Sequence, residues 1–112
     1  MAINRDNDAI TVTIAAAATT SGSINMQQWA GGVCRVPAGW SSNTTLTFTH
    51  ATTAAGTYSA LYQDDCSTQV SVTLTADRSF ALPEEVLMCN FVKFVIGAGA
   101  AAEETLELSL KG

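Results

Sequence analysis

The side chains able to do chemistry are few. There is one histidine, His50, and there are three cysteines, Cys34, Cys66 and Cys89. A Cys–His couple needs a thiolate held beside a base, and no local motif joins His50 to any of the thiols. His50 closes the alternating run Thr45-Leu46-Thr47-Phe48-Thr49-His50, on the same side as Leu46 and Phe48. It reads as a histidine at the edge of a core. The cysteine number is odd and no CxxC spacing occurs, so buried free thiols are expected rather than a disulfide framework or a zinc site. The acids come in pairs, Asp64-Asp65, Glu84-Glu85 and Glu103-Glu104. Neighbours on a strand point to opposite faces, so such pairs do not converge as an acid/base couple. They read as solvated turn or strand-end charge. Asp64-Asp65 offers oxygen ligands of the kind Ca²⁺ takes, but without the spaced aspartates of a calcium loop. There is no phosphate-cradling glycine loop and no GxSxG. No enzyme, cofactor or metal site is expected.

The aromatic residues Trp29, Trp40, Tyr58 and Tyr62 are the other candidates. Exposed on a β domain they would stack on sugar rings. Buried, they pack with their polar tips satisfied. Trp40 follows Pro37-Ala38-Gly39 and is expected to pack at the rim of the domain.

The 112 residues allow one domain. Ala, Thr, Ser and Gly supply 50 of them, and charged residues only 13%, about half the usual share. The surface must therefore be built from small and hydroxyl side chains. Five scattered basic residues and a net charge of −5 cannot neutralise a phosphate track, which excludes a nucleic-acid partner. No apolar run approaches the roughly 20 residues that span a bilayer. The opening residues lack the layout of a secretory signal, so a chain made and kept in a cytoplasm is expected.

Period-two alternation positions nearly every apolar residue. Ile10–Ile14, Thr45–His50, Val70–Leu74 and Leu106–Leu110 each send one face inward and hold polar residues, mostly Thr and Ser, outside. Cys89–Ile96 reads as a central strand buried on both faces. Shorter strands are expected at Ile24–Trp29, Gly32–Val36, Tyr58–Gln63 and Arg78–Leu82. Eight or nine strands about ten residues apart predict an all-β antiparallel sandwich or barrel. Asp64-Asp65-Cys66-Ser67 reads as a tight connection. Pro83–Leu87 reads as one helical turn with Pro at its first position. Ala15–Ala18 reads as strand or loop, because no 3.6-residue stripe surrounds it. Residues 1–8 are expected to form a flexible arm and 9–112 the domain.

The order of these segments carries a resemblance. Val36-Pro37-Ala38-Gly39-Trp40 leads into an alternating strand. Gly56-Thr57-Tyr58 and Leu61-Tyr62-Gln63-Asp64-Asp65 follow. Arg78-Ser79-Phe80-Ala81-Leu82-Pro83 then precedes Phe91-Val92-Lys93-Phe94. Over residues 24–112 this resembles small β-sandwich domains in structural proteins of tailed bacteriophages. The sequence departs from that pattern at Cys66-Ser67, where a Gly is usual. The resemblance implies a jelly-roll-like fold and a homotrimeric capsid cement, or decoration, protein on the outside of a virion. Such a protein binds the major capsid protein, is made in the host bacterial cytoplasm and catalyses nothing. The resemblance transfers no functional residues. The residues themselves nominate Ile3, Asn4, Arg5 and Asp6 of the arm, with Trp29 and Trp40, as partner contacts. The Trp29–Gly32 region and the Gly97–Ala102 loop are weaker candidates. The rival expectation is a carbohydrate- or host-receptor-binding module of a tail or fibre, using Trp40, Tyr58 or Tyr62.

Overall fold

The computed structural model describes residues 7–40, 45–97 and 103–111. Nine strands and one helical turn follow in order: β1 (Asn7–Ile14), β2 (Ile24–Asn25), β3 (Gly31–Val36), β4 (Thr45–Ala51), β5 (Ser59–Ala60), β6 (Ser71–Thr73), β7 (Arg78–Ala81), α1 (Glu84–Leu87), β8 (Phe91–Ile96) and β9 (Glu104–Lys111). They form two antiparallel sheets. Sheet A has the order β1-β9-β3-β7. Sheet B has the order β2-β8-β4-β5, with β6 also paired to β4.

The alternation read from the sequence sets the registers. Val12 and Ile14 of β1 lie opposite Leu106 and Glu104 of β9, and Ile10 lies opposite Leu108. The inward residues of both sheets join one buried cluster, with Val12, Ile14, Cys34, Val36, Leu106, Leu108 and Leu110 from sheet A and Leu46, Phe48, Val92, Phe94 and Ile96 from sheet B. Phe48 and Phe94 are register partners. Their rings meet edge to face at 5.0 Å and 87°, a geometry worth about 0.5–1.5 kcal/mol beyond burial.

Several expectations shift. β1 starts at Asn7, so Asn7 and Asp8 pair with Lys111 and Leu110 instead of belonging to the arm. β8 is central, between β2 and β4, but only Val92, Phe94 and Ile96 are fully buried. Its other face is half-buried, since a side chain as polar as Lys93 keeps it near water. The Ile24–Trp29 strand shortens to two residues because the Trp29 N–H turns back to the Met26 carbonyl. Tyr58–Gln63 shortens similarly, leaving Tyr62 as an isolated bridge to Gln69. Ala15–Ala18, expected as strand or loop, is a loop: a turn closed by the Ala18 N–H on the Ala15 carbonyl, with Ala17 at φ 66°. Pro83 sits at the N-cap of α1 rather than inside it.

Candidate interaction surface

Sheet A has an outer face defined by register. Ser109 of β9 lies opposite Ala9 on one side and Val33 on the other. Val33 in turn lies opposite Ala81 of β7. The row Ala9–Ser109–Val33–Ala81 therefore crosses all four strands, and every member is exposed. The adjacent row is Thr11–Glu107–Arg35–Ser79, also exposed throughout. The first row carries no charge. In the second, Glu107 and Arg35 occupy opposed positions, and Arg35 donates to Asp77 Oδ1 at 2.9 Å. Val33, 45% exposed, is the large apolar side chain at the centre of this face.

The Ala9–Ser109–Val33–Ala81 row is uncharged and built from side chains with little rotamer freedom to lose. A partner can approach the backbone closely, particularly at Gly31, where an added Cβ would meet nothing within 4 Å. Four strands span roughly 14 Å. A standard interface buries about 800 Å² per partner, so flanking segments would contribute too.

The residues nominated from the sequence fall elsewhere. Trp29 and Trp40 are core residues, 8% and 7% exposed, and present almost no surface to a partner. Trp40 is carried inward by a turn in which its N–H donates to the Pro37 carbonyl at 3.1 Å. Ile3, Asn4, Arg5 and Asp6 lie outside the described residues, as do residues 98–102 of the small-residue loop. Val33 was not nominated from the sequence, although alternation sets it on the side of Arg35, away from Cys34 and Val36; that it lies between Ser109 and Ala81 comes from strand pairing.

The chemistry-bearing groups are dispersed or engaged. Cys34 is buried, and loss of solvation pushes its thiol up to about 12. Burial also raises Cys89, whose Sγ–H donates to the Glu85 carbonyl at 3.3 Å. His50 lines the same concavity as Cys89, but that bond occupies the thiol proton. Asp65 is the best-organised carboxylate. Its Oδ1 accepts from the N–H groups of Ser67 and Thr68, and its Oδ2 accepts from the Thr68 hydroxyl. The Thr68 and Ser67 amides hold its pKa below the usual carboxylate value. Tyr58 donates its hydroxyl to the Ala54 carbonyl, and Lys93 Nζ lies 4.3 Å over its ring. Among the described residues no group of three His, Cys, Asp or Glu is placed to hold a metal ion, and no helix is long and apolar enough to cross a membrane.

Compared with protein families, curated proteins and solved structures, the chain matches none.

Proposed function

We propose that the chain is a structural protein of a bacteriophage virion, a capsid cement protein that docks on the major capsid protein through the outer face of sheet A. The observation that carries this reading is the pair of exposed cross-strand rows centred on Val33. The order of turn and strand motifs that resembles phage structural proteins supports it from the sequence. The fold proposed is a jelly-roll-like sandwich. Its support is that both sheets feed one core and that six connections pass between them: β1–β2, β2–β3, β3–β4, β6–β7, β7–β8 and β8–β9. The protein acts as a homo-oligomer on the capsid exterior, a trimer by the same resemblance, and catalyses no reaction.

Stabilisation follows from mass action. A protein that binds the assembled shell and not the separated subunits shifts the equilibrium toward the shell. The carbohydrate reading finds less support, because Trp40 is buried and both ends of Tyr58 are engaged.

The test is occupancy of purified capsid shells by the wild-type chain and by Val33→Arg, read by sedimentation. Wild-type chain saturates the shells in fixed ratio to the capsid subunit. Val33→Arg, an exposed change that leaves the fold intact by circular dichroism, loses about tenfold or more in affinity. Equal occupancy by the variant removes the sheet A face from the account, and no occupancy by either removes the cement function.

A further inference from the structure

A second surface lies away from sheet A, where the hairpin after β5 meets α1. Leu61, Tyr62, Asp64, Glu85, Met88, Cys89 and His50 line a concavity of about 330 Å³. It continues into a second of about 360 Å³, lined by Gln63, Asp64, Glu84, Glu85 and Met88. We propose that this groove binds a protein segment that sets an apolar side chain between flanking arginines or lysines.

The apolar part rests on exposure. Met88, at the C-cap of α1, is 74% exposed, the highest value for a large apolar side chain among the described residues. Tyr62 across the groove is 42% exposed. A flexible thioether beside an aromatic ring is a surface that adapts to an inserted apolar side chain. Half-buried Leu61 continues it toward the core.

The choice of a basic partner rests on charge. Asp64, Glu84 and Glu85 rim the groove, and no Lys or Arg lines either concavity. None of the three carboxylates is paired with a cation among the described residues. Their summed field favours a cationic segment and repels an acidic one. The rim is also held in place. The Asp65 carboxylate ties down the turn that carries Asp64, while the Gln63 N–H and the Thr68 carbonyl close the hairpin at 2.8 Å. On the other wall the Glu85 carbonyl accepts from the Met88 N–H and from Cys89 Sγ. A pre-formed groove loses little on binding.

No lining residue is shared with the Val33 face, so this inference stands apart from the shell reading. The probe is a bead-displayed library of random octapeptides, selected on the wild-type chain and counted again on Met88→Ser and on Glu84→Gln/Glu85→Gln. Glu84 and Met88 are exposed and Glu85 is half-buried, and nuclear magnetic resonance verifies that each variant is folded. The expected winners carry at least one Arg or Lys beside an apolar residue, and their amide shifts map to Tyr62, Asp64, Glu85 and Met88. Each variant weakens a synthesised winner by about tenfold or more. No enrichment, enrichment of acidic or neutral sequences, shifts elsewhere on the chain, or unchanged affinity in the variants overturns the proposal. So do groove shifts that follow protein concentration alone, which would mean that a second copy fills it.

Discussion

Phe94 and Ser21 are joined by two bonds across 73 positions of sequence. The Ser21 N–H donates to the Phe94 carbonyl at 2.9 Å, and the Phe94 N–H donates to Ser21 Oγ, also at 2.9 Å. The hydroxyl then donates onward to the Gly22 carbonyl. A side chain thus completes the ladder on β8 where the neighbouring strand is too short to do so. Ser21→Ala leaves a buried N–H without a partner, which costs about 1–3 kcal/mol. Urea unfolding is the check, and a loss below about 0.5 kcal/mol contradicts the assignment.

Cys66 stands where a glycine is usual in the resembled pattern, and its backbone takes the glycine conformation, φ 57°. The left-handed region costs a residue with a Cβ roughly 1–2 kcal/mol. Cys66→Gly relieves this but gains chain entropy in the unfolded state. The expected result is a net stabilisation of up to about 1 kcal/mol, read as a rise in melting temperature.

Gly31 and Gly32 are neighbours with opposite requirements. A Cβ on Gly32 would lie 2.7 Å from Leu110 Cδ2 and 3.1 Å from both Leu82 Cδ1 and the Ser109 carbonyl, whereas one on Gly31 meets nothing within 4 Å. Gly32→Ala is expected to destabilise by about 1–3 kcal/mol through overpacking. Gly31→Ala is expected to stay within about 0.5 kcal/mol of wild type. Equal effects from the two would contradict the facing of β3.

The thiols make an alkaline limit. Cys34 ionises near 9 when unfolded and at about 12 when folded, because burial disfavours the thiolate. A raised folded-state value gives stability that is fully present below pH 9 and is lost as the pH climbs toward 12. The slope is about 1.4 kcal/mol per pH unit for this group. Cys89 acts in the same direction. Replacing Cys34 with Ala flattens the slope. In the native protein at neutral pH, a thiol reagent modifies exposed Cys66 and spares Cys34 and Cys89.

Local pattern carried the strands well. Ile10–Ile14 and Leu106–Leu110 declare their inward faces by alternation alone, and the acidic turn at Asp64–Ser67 declares itself by side-chain chemistry. Pairing is another matter, because the register between Asn7 and Lys111 depends on contacts that no window of sequence contains. For that reason the row that Val33 makes with Ser109 and Ala81 could not be read from Gly32–Val36 alone. Trp29 and Trp40 drew attention as large aromatics but serve the core, since the turns at Met26 and Pro37 fold them inward. The Met88 groove was invisible for a related reason: Tyr62–Asp64 and Glu84–Cys89 meet only in the folded chain.

The most direct test of the proposed function is a cryo-electron microscopy map of the virus particle proposed to carry this chain. The account predicts ordered copies on the outer shell, with Val33, Ser109 and Ala81 turned toward the major capsid protein and sheet B facing away. Copies absent from the shell, or seated with sheet B against it, would contradict the account.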